Sequence, residues 1–158
     1  MNHRHIISIL VADRFGALSR IIEIFGSRGY NLDSISSGSC EEENCQRLTI
    51  VCRETDQNIA KIIKLISELV DVYKVSLMDK EISITRELLL AKVSLKPETK
   101  NEIFSLLTAL KAEVIEIQPK SISFELVGRA AALDQFMESI RPYEIIELSR
   151  TGEAAIHH

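Results

Sequence analysis

Two stretches hold residue types whose spacing suggests chemistry. The first is Cys40-Glu41-Glu42-Glu43-Asn44-Cys45, two thiols bracketing three carboxylates. A zinc site needs four ligands in tetrahedral array, and two further ligands at suitable spacing are not evident. The segment therefore reads as a solvated hairpin tip. The second stretch is Asp13-Arg14-Phe15-Gly16-Ala17-Leu18, followed by Gly29-Tyr30-Asn31-Leu32. The opening turn of a helix has N–H groups without intrahelical partners and a partial positive charge. Gly16 at such a turn would let a carboxylate approach the backbone. The Asn31 amide both donates and accepts, so it suits a carboxylate or an ammonium group. An amino acid carries both. On pattern alone, Gly16 serves a tight turn and Gly29 a helix end equally well.

No Ser/His/Asp or Cys/His arrangement falls within the expected elements. His3, His5, His157 and His158 lie at chain ends expected to fray, and the last two also look like a tag remnant. With no constellation for general acid–base work, no catalytic residue is assigned and an independent enzyme is not expected.

Composition narrows the partners. The 158 residues include 19 basic and 23 acidic ones, for a net charge of -4, and the basic residues are scattered. Phosphate backbones call for clustered Lys and Arg, so nucleic acid is not an expected partner. The apolar run from Ile6 to Ala12 is too short to span a bilayer and lacks a cleavage pattern. Three cysteines, an odd count, argue against a disulfide framework. The expectation is a soluble cytoplasmic protein with reduced thiols.

The elements that must position the glycine turn follow from periodicity. Leu18, Ile21, Ile22 and Phe25 recur at i, i+3, i+4 and i+7. So do Ile59, Ile62, Ile63 and Ile66, then Ile103, Leu106, Leu107 and Leu110, then Leu133, Phe136, Met137 and Ile140. Each set forms one stripe of an α-helix. Strand-like segments fill the gaps at 5–11, 32–38, 47–52, 72–77, 88–95, 114–117, 121–127 and 145–149. The clearest alternate: Leu48, Ile50 and Cys52 share a face, as do Ile122, Phe124 and Leu126. The order is β-α-β-β-α-β twice, an α+β chain of two tandem ferredoxin-like units, each an antiparallel sheet with two helices on one face. The polar run Asp79 to Ser83 marks the expected boundary, giving domains at 1–79 and 84–158.

The copies differ at the turn. Copy two has Lys96-Pro97-Glu98-Thr99 where copy one has the glycine. Its first helix is expected to run on through Lys111-Ala112-Glu113 without a glycine stop.

Several blocks together resemble the small, regulatory subunit of acetolactate synthase (acetohydroxyacid synthase). They are Gly16-Ala17-Leu18-Ser19-Arg20, Arg28-Gly29-Tyr30-Asn31-Leu32-Asp33-Ser34, Arg47-Leu48-Thr49-Ile50-Val51, Leu69-Val70-Asp71-Val72-Tyr73-Lys74-Val75, Arg86-Glu87-Leu88-Leu89-Leu90 and Arg150-Thr151-Gly152. The resemblance implies an N-terminal ACT domain and a C-terminal ACT-like domain. It implies a homodimer through the ACT domain, with valine or another branched-chain amino acid bound where two copies meet. Asp13, Phe15, Gly16, Ala17 and Leu18 of one copy and Asn31 and Leu32 of the other would line that site. It further implies a separate large catalytic subunit carrying thiamine diphosphate, magnesium and FAD, with no cofactor in this chain. This chain would activate that subunit and confer feedback inhibition.

Asp13 departs from the asparagine usual in the family. A carboxylate about 5 Å from a ligand carboxylate costs on the order of 3 kcal/mol at an effective dielectric of roughly 20. Binding then requires Asp13 to face the ammonium, or Arg14 to screen it. Other readings are a free-standing amino-acid sensor controlling another partner and, remotely, an RNA-binding module of the same topology. The latter stacks bases on aromatics in its inner strands, which Arg47 to Cys52 lacks.

Overall fold

The computed structural model describes residues 1–79 and 83–158, so most of the expected boundary at Asp79 to Ser83 lies outside the described residues. By contact the chain divides into two units. One comprises Met1–Ile84 with Gly152–His158, the other Thr85–Thr151.

The first unit runs β1 (His3–Ala12), α1 (Ala17–Gly26), β2 (Leu32–Ser39), β3 (Cys45–Glu54), α2 (Asp56–Ser67), β4 (Val72–Met78). Its sheet is antiparallel with strand order β2-β3-β1-β4, so β2 forms an edge. Alternation puts Ile7, Ile9 and Val11 of β1 on one face with Leu48, Ile50 and Cys52 of β3. The helices cover that face with Ala17, Ile21 and Phe25 of α1 and Ile59, Ile62 and Ile66 of α2. Thr55 caps α2 by accepting from the Asn58 N–H at 3.2 Å.

The α1 stripe differs from the expected one. Ala17, Ile21 and Phe25 are buried, whereas Leu18 and Ile22 stay 36% and 38% exposed. A small residue packs closest to a sheet, so Ala17 turns the helix and leaves Leu18 and Ile22 at the surface beside the glycine turn. The histidines also differ from expectation. His3 and His5 lie within β1 rather than in a frayed end, and His5 Nε2 is 3.1 Å from the Glu54 carbonyl.

The second unit runs β5 (Ser83–Ser94), α3 (Lys100–Ala109), β6 (Glu113–Gln118), β7 (Ser121–Gly128), α4 (Ala130–Ile140), β8 (Ile145–Arg150), with order β6-β7-β5-β8. Leu89, Val93, Ile122 and Phe124 of its sheet pack against Ile103, Leu107, Leu133 and Phe136. Phe124 and Phe136 meet edge to face at 5.6 Å. Contrary to expectation, α3 does not run on past Lys111. It ends at Ala109, and Lys111 takes φ 57, the left-handed conformation that Gly29 takes at φ 70 in the first unit. Backbone hydrogen bonds close the turn around it, from the Lys111 N–H to the Thr108 carbonyl at 3.2 Å and from the Ala112 N–H to the Leu107 carbonyl at 2.9 Å, against a cost of about 1 kcal/mol.

One element was not expected. β9 (Ala154–His157), which includes His157, pairs with β5. Residues 152–158 pack with the first unit, as do Ser83 and Ile84 at the start of β5.

Candidate functional site

The β1–α1 turn is built around a left-handed glycine. Gly16 is the N-cap of α1 at φ 82 and ψ -8, a conformation unfavourable for a residue with a Cβ. No side chain caps α1, and its first turn carries no acid. The turn therefore offers backbone donors and the positive end of a ten-residue helix.

Side chains distant in sequence hold this turn. The Asp13 N–H donates to the Asn44 carbonyl at 2.8 Å, and Gln46 Nε2 donates to Asp13 Oδ1 at 2.8 Å. Asn44 takes φ 58 to present that carbonyl. On the other side Asp71 accepts from Arg20 at 2.9 Å and lies 3.9 Å from Arg14, while its backbone carbonyl accepts from the Ala12 N–H at 2.8 Å. Sequence reading singled out none of Asn44, Gln46, Asp71 or Arg20 as site residues. Only the left-handed preference of Asn44 carried a local signal. The other contacts span 33 and 51 residues and leave no local mark.

Of the expected site residues, Asp13 is exposed, Phe15 is fully exposed, Ala17 is buried beneath the turn and Leu18 lies half-open on α1. Arg14 sits toward Asp71. Asn31 is exposed just before β2, and Leu32 packs partly into the core.

Within one chain these two groups are not neighbours. Leu32 pairs with Cys52, and Cys52 with His5, so the start of β2 lies level with the start of β1. The glycine turn follows Ala12, seven residues further along β1, or about 23 Å. The opposite end of β2, Ser39, pairs with Gln46 and so lies level with the turn.

The acidic hairpin holds an internal pair. Glu41 accepts from Arg47 Nη2 at 2.6 Å, and Arg47 Nη1 donates to Ser8 at 3.1 Å. The Glu41 carboxyl is held below its usual range, first by its own backbone N–H and then by Arg47 and Lys74. Desolvation, the Cys40 thiol and the surrounding acids push the Cys45 thiol up. Among the described residues, no three His, Cys, Asp or Glu side chains come together to hold a metal ion. No helix among them is long and apolar enough to cross a membrane.

Two tandem βαββαβ units, the first with a glycine-opened helix, are the architecture of chains built from paired ACT-type domains. Comparison with known proteins makes this specific. Residues 7–74 match the model of the AHAS small subunit-like ACT domain, and residues 86–158 match that of the small subunit of acetolactate synthase. A probable acetolactate synthase small subunit of Archaeoglobus fulgidus is 33% identical, over 97% of this chain and 96% of its own. The Bacillus subtilis acetolactate synthase small subunit is 32% identical, over 96% and 89%. The crystal structure of the Thermotoga maritima small subunit superposes with a TM-score of 0.92 at 30% identity, covering 99% of this chain and 98% of that one. The chain belongs to the acetolactate synthase small subunit family. It is a regulatory chain of branched-chain amino-acid biosynthesis, which implies a large catalytic partner that carries the cofactors.

Proposed function

We propose that two copies of this chain pair through β2 and bind a branched-chain amino acid, valine foremost, between the glycine turn of one copy and the Asn31 end of the other. The observation that carries this reading is the position of Asn31 and Gly16 at opposite ends of one sheet. A two-fold axis pairing β2 with its symmetry mate runs the strands antiparallel. Asn31 of the second copy then lies toward the Ser39 end of the first, beside the turn. The turn's free backbone donors suit the ligand carboxylate, and the Asn31 amide suits the ammonium. Exposed Phe15, Leu18 and Ile22 supply an apolar surface for a branched aliphatic side chain and for the partner.

In this reading the chain activates the separate catalytic subunit, which holds thiamine diphosphate, magnesium and FAD. Valine held by both copies inhibits that subunit by changing how the copies pack. The coupling is reciprocal, so the state of the catalytic chain alters valine affinity by the same factor.

Mixed dimers test the arrangement. Gly16→Asp breaks the turn and Asn31→Ala removes the amide before β2, so each homodimer loses valine binding in calorimetry. Mixing the two variants yields heterodimers with one site broken twice and one site intact, restoring up to one valine per heterodimer. No recovery on mixing, or no binding by the unsubstituted chain to millimolar valine, leucine or isoleucine, rejects the reading.

A further inference from the structure

The C-terminal residues of the first unit lie on the face of its sheet opposite the helices. Alternation puts Ile6, Val51 and Met78 on that face, and Ala155 joins them in one buried cluster. Glu153 is only 2% exposed and is ion-paired with Arg4 of β1. A buried carboxylate persists only when paired, so this pair fixes the register of the segment on the sheet.

Gly152 makes the closest approach. A Cβ built there would lie 2.9 Å from the Ile35 carbonyl oxygen, 3.0 Å from its carbon and 3.3 Å from the Ser34 Cβ. The obstacle is backbone, which no rotamer change relieves. Gly152 is thus required by space, not by a left-handed φ as at Gly16 and Gly29. Ser34 and Ile35 are the first residues after the register shift between Leu32 and Ser34. Such irregularities re-aim the strand beyond them, and here that strand end is Asn31-Leu32.

We propose that residues 152–158 form a strap that holds edge strand β2, and that Gly152 is a positioning residue for the amino-acid site, seating Ser34–Ile35 so that Asn31 is correctly presented. The ligand half of this inference rests on the reading of the site given above. The strap half rests on the contacts alone. A side chain at Gly152 displaces β2 or lifts the strap, and either change moves Asn31 without touching ligand.

The test compares Gly152→Ala with Gly38→Ala in the full chain. Gly38 lies in β2 itself, and a Cβ there meets nothing within 4 Å. Hydrogen exchange is expected to rise roughly tenfold for β2 amides in Gly152→Ala, while α2 amides and the whole of Gly38→Ala stay as in the unsubstituted chain. Valine affinity is expected to fall by roughly tenfold in Gly152→Ala alone. Should that variant fold poorly, Glu153→Gln, which weakens the strap from its other anchor, is expected to raise β2 exchange as well. Unchanged β2 exchange in both variants overturns the strap. Altered exchange with unchanged valine affinity overturns the positioning role. If the unsubstituted chain binds no branched-chain amino acid, the site reading fails, and exchange alone decides the strap.

Discussion

Gln46 reaches from β3 to Asp13, donating from Nε2 to Oδ1 at 2.8 Å, and so fixes a carboxylate at the mouth of the glycine turn. Gln46 is neutral and leaves the negative charge in place. Arg14 lies 3.9 Å from Asp71, an acid on the other side of the turn. A bound amino-acid carboxylate at the α1 N-terminus therefore meets a like charge, weakened by exposure to solvent. Asp13→Asn keeps an acceptor for Gln46 and removes the charge. Valine affinity is expected to tighten by roughly fivefold, and the gain to shrink as salt is added. Calorimetry at two ionic strengths checks both. An unchanged affinity would place Asp13 away from the ligand carboxylate.

Asp71 braces the other side of the turn through Arg20, and its side chain is 13% exposed. Arg20 is 54% exposed, so the pair contributes only about 1 kcal/mol or less to stability. Its effect on ligand should be larger, because releasing Arg20 and Arg14 loosens the turn that aims the backbone donors. Asp71→Ala is expected to move the unfolding midpoint slightly and to weaken valine binding by roughly fivefold. Denaturant unfolding and calorimetry on one preparation separate the two effects.

Much of this architecture was legible in the sequence because apolar period is a local property. The stripes of α2 and α4 bury Ile59, Ile62 and Ile66, and Leu133, Phe136 and Ile140, as spacing requires. The α1 stripe was half misread, because hydropathy gives Ala17 little weight although its small size lets the helix sit close. The end of α3 was misread because Lys111 carries no signature of a left-handed residue. Strand β9 is four residues long, and its place on the sheet comes from the buried Glu153 and the closeness of Gly152, both set by distant residues. The glycine turn was visible. Its supports were not, since Gln46 and Asp71 are defined only after β3 and β4 have paired.

Cys52 makes stability depend on pH. Its side chain is fully buried in the first core, and burial, aided by Glu54 and Asp33, pushes the thiol from 9.0 up to about 11. The folded state therefore holds the proton that the unfolded chain releases. The contribution is fully present below pH 9.0 and is lost as pH rises to about 11. The loss is on the order of 2 kcal/mol. Cys52→Ala is expected to flatten the decline across that window, measured by denaturant unfolding at a series of pH values. In the unsubstituted chain at pH 8, an alkylating reagent is expected to label Cys40 and Cys45 and to leave Cys52 unmodified until the chain unfolds.

The Arg150–Glu87 pair ties β8 to β5 in the second unit, and its geometry makes it costly to break. Arg150 donates to Glu87 at 2.6 Å, to Asp134 at 2.6 Å and to the Ala130 carbonyl at 3.2 Å. The Glu87 side chain is 6% exposed and that of Arg150 is 26% exposed. Removing one partner of a buried pair leaves the other charge poorly solvated. Glu87→Ala is therefore expected to destabilise the chain by roughly 3 kcal/mol, well beyond the loss of one ordinary hydrogen bond. The cost should lie more in the half-desolvated guanidinium, left with the exposed Asp134 as its counter-charge, than in the missing attraction. Replacing both partners, Glu87→Leu with Arg150→Met, is accordingly expected to recover more than half of the loss. Denaturant unfolding of the two variants checks this ordering. A double variant as unstable as Glu87→Ala would show instead that the hydrogen bonds to Asp134 and Ala130, not the ion pair, hold β8 in place.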